Sequence, residues 1–473
     1  MSIEFIKSEK GKDLLVYESF VYRNERTTEA KTIWKCEEYY KIGNCKARIH
    51  LSLDNQRILK QIGEHNHVPE KAKIEARKIL RKIKEVAIST QTETNNIIAQ
   101  ASVNVTQSTI AQLPSPIRIK RTIQRIRIQK EKAPSLPRSL NELIIPGEYQ
   151  LTKRGQQFML FDSQDTERII IFSTSNNLKL LKEGDNWYAD GTFKTVPKLF
   201  NQLYTIHGLK ENTVIPLVYI LMESRTQNIY EKVFETLKNF GPFNPKTILT
   251  DFEFAALNAF KKSFPNANQR GCFFHFSQCI WRKIQTPECQ LIQEKYKSDG
   301  EFALNIKMLA ALAFIPIEDV AETFDELLET EFYEENQELL KPLIDYFEDN
   351  WIGRTQRRRR RAPTFEIELW NCFLSTLDGL PKTNNSCEGW HRSFSSLLGA
   401  SHPTIWKFID GIKLEQSLNE MKIEQYLAGD DPPPPRKKYK DCSERILKKV
   451  QNYQNHDKIS HLRGIAHNLT LNV

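Results

Sequence analysis

Residues 201–222 read NQLYTIHGLKENTVIPLVYILM and hold two runs rich in strand-forming residues, Asn201–Leu209 and Thr213–Met222, on either side of a short polar turn. Further strands are predicted on both sides of this pair, at Arg168–Phe172, Trp187–Thr195, Lys246–Thr250 and Gln269–Phe274. Amphipathic helices are predicted between and after the last of these strands, at Gln227–Phe240, Phe254–Phe264 and residues 275–284. This succession predicts a mixed α/β sheet that is covered by helices.

The length of the chain predicts two or three domains. A chain of 473 residues exceeds one ordinary domain and can bury a core without disulfide bonds. We expect a multidomain α+β protein whose parts follow one another in this order: a β-rich segment at 1–70, basic helices and a linker at 71–138, the mixed sheet at 145–428 with an all-helical insertion at about 288–380, and a basic, Pro-rich tail at 429–473 that ends without structure.

Hydropathy and cysteine spacing exclude several classes of protein. The longest apolar runs, Thr213–Met222 and Met308–Ile317, fall short of the roughly 20 residues that a membrane-spanning helix needs. The first ten residues, MSIEFIKSEK, lack the apolar segment of a signal peptide. Eight irregularly spaced cysteines do not form a disulfide framework, so we expect a reducing compartment and treat the thiols as candidate metal ligands.

Positive charge is concentrated in part of the chain. The net charge is +9, yet residues 71–90 carry +5 and residues 117–132 carry +6. Such blocks favour a polyanionic partner, with DNA first. The candidate DNA-binding residues are Arg118, Lys120, Arg121, Arg125 and Arg127, together with the run Arg357, Arg358, Arg359, Arg360 and Arg361.

Each basic stretch has a second interpretation. Residues 71–132 could form a helix-turn-helix-like unit, or they could be surface helices with a solvated face. The alternation of Ile with Arg and Lys over 117–132 suits a helix or a strand. Five adjacent arginines repel one another and predict a disordered segment or a loop, which could grip DNA or serve as a nuclear localisation run, as could Arg436–Lys438.

Four residues near the N-terminus have zinc-ligand chemistry. Cys36 and Cys45 are separated by eight residues, and His65 and His67 follow as a His-x-His pair. Two thiolates and two imidazoles suit tetrahedral Zn²⁺, and a metal would stabilise a short β-rich segment with little core. The alternative is two buried thiols and two surface histidines.

The sequence around these candidate ligands resembles the FLYWCH-type zinc finger. The shared residue types run in the family's order through Leu14 or Leu15, Tyr17, Phe20, Tyr22, Trp34-Lys35-Cys36, Cys45-Lys46-Ala47 and His65-Asn66-His67. The resemblance implies a structural zinc site and a β-rich module that binds DNA or protein. Four protein ligands leave no vacancy for catalysis at such a site.

Three acidic residues form the second constellation. Asp190 lies in the strand segment YADGTF, Asp251 ends the strand TILTD, and Glu388 opens a helix in TNNSCEGWH. Each acid alone could be a solvated or capping residue. Carboxylates from neighbouring strands can converge with one from a helix, and such oxygen ligands suit Mg²⁺ or Mn²⁺ in phosphodiester chemistry.

Residues 180–425 resemble the transposase domain of Mutator-like elements. The resemblance rests on the wording at the three acids, on TVIPLVYILMESRTQNIYEKVFETL, and on GCFFHFSQCIWRKIQ, in which Cys272 and His275 fit the family's Cys-x2-His signature. It implies an RNase H-like fold in which Asp190, Asp251 and Glu388 form a catalytic Asp-Asp-Glu triad that binds metal.

Three residues beside the acids keep open roles. Cys272 and His275 could be half of a metal site, but we favour a structural or DNA-positioning role, because no second pair is evident nearby. His391 follows Glu388 by three residues, so both lie on one helix face. It could position a phosphate or simply pack.

These patterns together predict a nuclear DNA transposase. The finger and the basic helices would bind element ends, and the triad would use Mg²⁺ or Mn²⁺ to cut and join strands. The family resemblance implies a homo-oligomer on DNA, and no membrane partner is expected. The alternative is a domesticated, catalytically silent DNA-binding protein that acts in transcription or chromatin regulation.

Overall fold

The computed structural model describes residues 3–8, 11–40, 44–90, 92–131, 133–210, 213–356, 359–430 and 437–471. Within them the chain forms two compact units, Met1–Ser135 and Leu136–Val473. The predicted four-part division of the chain remains a prediction. No helix in the described part of the chain is long and apolar enough to cross a membrane.

The first unit begins with a six-stranded antiparallel sheet in which each strand pairs with the next. Its strands are β1 (Glu4–Lys7), β2 (Asp13–Tyr17), β3 (Phe20–Thr27), β4 (Thr32–Cys36), β5 (Arg48–Leu51) and β6 (Ile58–Ile62). Alternate side chains of the middle strands, among them Leu15, Tyr22, Trp34 and Ile49, form its small core.

Four helices complete the first unit: α1 (Lys71–Ser89), α2 (Thr94–Ser102), α3 (Gln107–Ile110) and α4 (Pro116–Glu131). The ambiguous stretch is therefore helical over its described residues, 117–131. Ile119 and Ile123 lie one turn apart on α4 and pack with Ile83, Ala87 and Ile97 of α1 and α2. This apolar stripe at helical spacing places the arginines of α4 on its other faces.

The second unit is built on a seven-stranded mixed sheet. Its strands are β7 (Met159–Asp162), β8 (Ile169–Phe172), β9 (Asn186–Thr192), β10 (Gln202–Lys210), β11 (Thr213–Met222), β12 (Thr247–Thr250) and β13 (Asn268–Gly271). The order is β13-β12-β9-β10-β11-β8-β7, with β12 and β13 parallel to β9 and the other pairs antiparallel. This sheet and its helices confirm the predicted multidomain α+β class.

Helices cover both faces of this sheet and its ends. Those within the sheet region are α5 (Gly147–Gln150), α6 (Ser175–Glu183), α7 (Gln227–Lys238), α8 (Phe254–Ser263) and α9 (Phe273–Ile284). The predicted strand Gln269–Phe274 ends earlier than expected. Cys272 already stands at the N-cap of α9, because its carbonyl accepts a hydrogen bond from the amide of Phe276.

The region after α9 is helical except for one small hairpin. Its helices are α10 (Gln290–Ser298), α11 (Gly300–Ala311), α12 (Val320–Leu328), α13 (Glu331–Glu335), α14 (Gln337–Phe347), α15 (Ile367–Trp370) and α16 (Phe373–Leu377), and its hairpin pairs β14 (Thr355–Gln356) with β15 (Arg359–Arg360). The ring of Phe276 stacks on Trp370 with 4.8 Å between centroids, so this region shares a core with α9. The expectation of an all-helical insertion is therefore corrected by the hairpin.

Part of the arginine run is ordered, although we expected a loop. Arg360 pairs with Asp325, and Arg361 Nη2 lies 3.2 Å from Asp349 Oδ1. These acids relieve the repulsion between neighbouring guanidinium groups, which was the reason for expecting a loop. Arg357 and Arg358 lie outside the described residues, as does Arg436 of the second basic run.

The C-terminal end is folded, which corrects the expectation of an unstructured end. After α17 (Asn385–Leu398) and α18 (Ile405–Leu427), the chain forms α19 (Lys437–Gln451) and α20 (Lys458–Ala466). Leu462 and Ile465 of α20 are fully buried in the core of the helical region, and Leu471 beyond it is also buried. The polar composition of residues 429–457 hid this apolar face, which begins only at residue 459.

The burial of α20 yields a stability prediction. Leu462→Ala should lower the free energy of unfolding by about 2–5 kcal/mol, because it leaves a cavity in a packed core. Urea unfolding followed by circular dichroism measures this loss. Leu291→Ala is the matched control, since Leu291 is 63% exposed and its truncation should change stability by less than about 0.5 kcal/mol. Equal effects of the two substitutions would contradict the packing of α20.

Candidate functional site

The four predicted zinc ligands converge in the first unit. The ligand atoms of Cys36, Cys45, His65 and His67 all lie within 4.8 Å of one another. Cys36 Sγ is 3.2 Å from His67 Nε2, and Cys45 Sγ is 3.4 Å from His65 Nδ1. A tetrahedral zinc ion separates neighbouring ligand atoms by roughly 3.3–3.8 Å, so this set has the right size and chemistry for Zn²⁺.

Neighbouring groups orient both imidazoles. His65 Nε2 lies 2.8 Å from the hydroxyl of Tyr22, and His67 Nδ1 lies 3.2 Å from the carbonyl of Val68. The nitrogens that remain free for a metal are His65 Nδ1 and His67 Nε2, the two that face the thiols. Phe20 stacks on His65 with ring centroids 3.6 Å apart and fixes the plane of that ring. Such outer contacts are typical of a histidine that binds metal.

The electrostatics of the four residues also favour a cation. Burial, together with the nearby Cys45 thiol, raises the pKa of Cys36 to about 12 in the metal-free cluster. Burial and the neighbouring His67 lower the pKa of His65 to about 4, so this imidazole is neutral, the form that binds metal. Buried thiolates need a bound cation to offset their desolvation, and zinc would supply it.

The three predicted catalytic acids come from three elements of the second unit. Asp190 lies on β9, Asp251 follows the last residue of β12, and Glu388 lies in the first turn of α17. Two histidines contact them. His275 Nδ1 is 2.8 Å from Asp251 Oδ1 and its Nε2 is 3.7 Å from Glu388 Oε1, while His391 Nε2 is 3.3 Å from Asp190 Oδ2.

Asn384 joins the helix of Glu388 to the two strands. It is fully buried, and its Nδ2 donates to the carbonyl of Ala189 at 3.2 Å and to Asp251 Oδ1 at 3.3 Å. Its backbone amide donates to Cys272 Sγ at 3.2 Å. One residue at the start of α17 therefore contacts the strand of Asp190, the carboxylate of Asp251 and the start of α9.

The acids influence one another through space. Burial raises the pKa of Glu388, and the charges of Asp190 and Asp251 raise it further against the opposing effect of His275. Burial alone would lower the pKa of His275, but its contacts with Asp251 and Cys272 outweigh burial and raise it to about 11. His275 is therefore a cation at neutral pH and stands between two of the three carboxylates.

In the structure, Cys272 and His275 resemble part of a metal site more strongly than their sequence spacing suggested. The ligand atoms of Asp251, Cys272 and His275 lie within 4.8 Å of one another. In the part of the chain that the structure describes, Asp190, Asp251 and Glu388 do not form a group of that tightness. The carboxylates have the donor chemistry for Mg²⁺ or Mn²⁺, and His275 lies where Asp251 and Glu388 would share an ion.

Sequence reasoning missed a fourth acid beside the triad. Burial raises the pKa of Glu253, and the charge of Asp251 raises it further, so the two acids are neighbours. The hydroxyl of Tyr230 lies 3.2 Å from Glu253 Oε2 and 3.0 Å from Gln202 Oε1. A Cβ at Gly191 would collide with Gln202, which explains the glycine after Asp190. The alternation Asp-Phe-Glu-Phe at 251–254 was the available signal.

The basic residues of α4 divide into two groups. Arg118, Arg121 and Arg125 are exposed and lie on one face of the helix, and Lys120 is half-buried. Arg127 differs from them, because its guanidinium donates to the backbone carbonyl of Ala87 in the last turn of α1 and to those of Thr90 and Thr92 beyond its end. The DNA-binding role of all of these residues remains a prediction.

Two regions of the chain match models of known protein families. Residues 186–279 match the family model of the MULE transposase domain, and residues 5–67 match that of the FLYWCH zinc finger domain. The chain combines a FLYWCH finger with a MULE domain. Both resemblances read from the sequence are thus confirmed. The MULE match contains Asp190, Asp251, Cys272 and His275, and the finger match contains all four zinc ligands.

Curated relatives match the finger end of the chain. The FLYWCH-type zinc finger-containing protein 1 of Homo sapiens is 31% identical over 87 residues, which is 18% of this chain and 12% of the relative. The Mus musculus protein of the same name is 37% identical over 73 residues, which is 15% of this chain and 10% of the relative. The chain thus spans about a tenth of the length of these relatives.

A solved structure aligns with most of the chain. The Drosophila P element transposase strand transfer complex is 11% identical and aligns over 80% of this chain and 93% of that chain, with a TM-score of 0.22. At that score the alignment supports no structural argument.

The contact between Tyr22 and His65 generates a prediction for the finger. Tyr22→Phe keeps the buried ring and removes the hydroxyl that orients His65, so zinc affinity should fall by about 10–100-fold. Competition with a chromogenic chelator measures the affinity. Tyr39→Phe is the matched control, because Tyr39 lies outside the ligand cluster and its removal should leave the affinity unchanged. Unchanged affinity in Tyr22→Phe would show that His65 is not a ligand through Nδ1.

Proposed function

We propose that this protein is a nuclear DNA transposase of the Mutator-like kind, in which the zinc finger and the basic helices bind element ends and the MULE domain cuts and joins DNA strands. The observation that carries the proposal is the meeting of Asp190, Asp251 and Glu388 through the contacts of Asn384, His275 and His391. The mixed sheet, which places two of these acids on neighbouring strands, supports an RNase H-like assignment of this domain.

The three carboxylates would hold Mg²⁺ or Mn²⁺, and Cys36, Cys45, His65 and His67 would hold a structural Zn²⁺. Ions of the first kind supply charge stabilisation to the attacking and leaving oxygens of a phosphodiester displacement. The protein's own part is placement. The amide of Gly191 donates to Asp190 Oδ1 at 2.8 Å, and Asn384 holds Asp251, so both carboxylates are fixed before substrate arrives.

His275 links two of the three acids. Its imidazolium lies between Asp251 and Glu388 and offsets their charge. Acids that face one another without such a partner would repel and would favour protonation. We therefore assign His275 a role in holding the acids together, in line with the positioning role favoured from the sequence.

The finger and α4 are assigned to DNA. Arg118, Arg121 and Arg125 form an exposed cationic face on a helix that is packed firmly on α1 and α2. Such a face gives affinity through phosphate contacts. Joining two element ends requires two copies of the site, so we propose a homo-oligomer on DNA.

A second candidate function is a domesticated DNA-binding protein that does not cut. The specific observation in its favour is that the curated relatives which the chain matches are FLYWCH-type zinc finger-containing proteins. This protein would keep the finger and act in transcription or chromatin regulation.

The catalytic proposal is tested by cleavage of DNA that flanks the protein's own gene. Mg²⁺ or Mn²⁺ should support strand cleavage, and Asp190→Asn, Asp251→Asn or Glu388→Gln should each reduce the rate by at least about 100-fold, because each removes a charged ligand from the transition state. Glu235→Gln, an exposed acid on α7, is the control and should cleave normally. Cleavage that survives the triad substitutions, or specific binding without any cleavage, would favour the domesticated alternative.

The two groups of arginines on α4 give a paired prediction. Arg121→Gln and Arg125→Gln should weaken DNA binding and each lower the slope of log affinity against log salt by about 1, with no loss of stability. Arg127→Gln should instead lower the free energy of unfolding by about 1.5–3 kcal/mol, because it removes charged hydrogen bonds to the carbonyls after α1. Fluorescence anisotropy at several salt concentrations and thermal unfolding separate the two effects.

If Arg125→Gln leaves the salt dependence unchanged while Arg127→Gln lowers it with no loss of stability, the division of α4 into a DNA face and a packed face is wrong.

A further inference from the structure

An aromatic ring is exposed at the edge of the acid cluster. Phe193 is 47% exposed and follows the end of β9, three residues after Asp190. Three residues of extended chain span at most about 11 Å, so the ring lies within reach of a strand bound at the acids. Most large aromatic side chains of the sheet region are buried, as Trp187 and Tyr219 are, whereas Phe193 is about half exposed.

A cation covers part of this ring. The guanidinium carbon of Arg225 is 4.9 Å from the centroid of Phe193, within the range of a cation–π contact. Among the described residues, no carboxylate lies within the 4.0 Å that defines an ion pair with Arg225. Arg225 follows the end of β11, whose Met222 pairs with Gln202, and the next residue of β10 pairs with Thr192 at the end of β9. Arg225 therefore lies at the same end of the sheet as Phe193 and as Asp251, which follows the neighbouring strand β12.

A second such cation comes from the helix of Glu388. Arg392 is exposed and lies one turn after Glu388 on α17. It too lacks a carboxylate within ion-pair distance in the described ranges. Two elements thus place unneutralised cations around a cluster of acids, although acids elsewhere on this surface are paired with lysine or arginine, as Glu231 is with Lys262.

We infer that Phe193 and Arg225 form a stacking platform for an unpaired base of the DNA strand that is held at the acids, with Arg225 and Arg392 contacting its phosphates. The inference rests on the proposed function, because it names the form of DNA which that site takes. A flat ring edged by a guanidinium matches a nucleobase and its phosphate, and stacking on such a ring tolerates any base sequence. Bases inside a duplex do not present their faces, so the platform selects single-stranded or frayed DNA.

Binding of two probes by the full-length, zinc-loaded protein tests this platform. One probe is a blunt duplex that carries the DNA flanking the gene, and the other is the same duplex with a ten-nucleotide single-stranded arm. Phe193→Ala should weaken binding of the forked probe by about tenfold and leave blunt-duplex binding unchanged. Phe193→Trp should restore it, since indole also stacks. Phe254→Ala is the matched control, because Phe254 is 50% exposed and follows Asp251 by three residues but stacks on Phe365.

A fluorescent base analogue in the single-stranded arm gives a second readout. Its emission should be quenched by stacking in the unsubstituted protein and in Phe193→Trp, and should stay unquenched in Phe193→Ala. Thermal unfolding should be the same in all variants, because the ring is half exposed. Unchanged binding of the forked probe by Phe193→Ala, or an equal loss of affinity for both probes, would overturn the platform.

Metal-dependent cleavage of the forked probe is measured in parallel to separate the two proposals. If the protein cleaves the forked probe and Phe193→Ala does not weaken binding of that probe, the platform is rejected and the transposase proposal stands. Selective loss in Phe193→Ala without any cleavage would support the platform on a non-cutting protein. A protein that binds neither probe would refute both. If a protein partner bound the Phe193 ring instead of DNA, the substitution would not affect the two probes differently. That is the outcome which overturns the platform.

Discussion

The site in the second unit depends on one buried residue, Asn384. Its carboxamide and amide bond to the strand of Asp190, to the carboxylate of Asp251 and to Cys272 at the start of α9. A buried amide that loses its hydrogen-bond partners carries an uncompensated desolvation penalty. We therefore expect the three contacts of Asn384 to form together. They fix where α17 begins, and the position of Glu388 follows one turn later. A triad assembled from distant parts of the chain therefore has its geometry set by a residue that carries no charge.

Both candidate metal sites are groups of ligands that are unfavourable without a cation. In the finger, two buried thiols and two oriented imidazoles form a closed set with no room for substrate. In the second unit, His275 and His391 contact the acids, while Asp251 and Glu388 keep about a third of their side-chain surface open. The first arrangement suits a structural ion, and the second leaves access for a nucleic acid. Among the described residues, Arg225 and Arg392 lie at the second site without a carboxylate at ion-pair distance.

Several features were readable from the sequence because local chemistry determines them. The β-forming residues of 201–222 form the central hairpin of the sheet, as predicted. The Cys-x8-Cys and His-x-His spacings correctly identified the four residues whose ligand atoms lie close together in the finger. Other features depended on distant partners. The end of the chain folds because α20 finds the core of the helical region, and Arg360 and Arg361 are ordered because Asp325 and Asp349 lie beside them. Asn384 had no charge pattern or spacing that could be read in advance.

The sequence by itself determined the types of element, the metal-ligand chemistry and the family motifs, because periodicity, side-chain donors and residue order are properties of short stretches. Only the tertiary structure decided that His275 lies between two of the acids. It also decided that Arg127 donates hydrogen bonds to the end of α1 while Arg125 stays exposed, and that Phe193 stays half exposed beneath Arg225. Those outcomes depend on which surfaces pack together across tens to hundreds of residues. Burial and pairing are properties of that packing, and no single stretch of chain carries them.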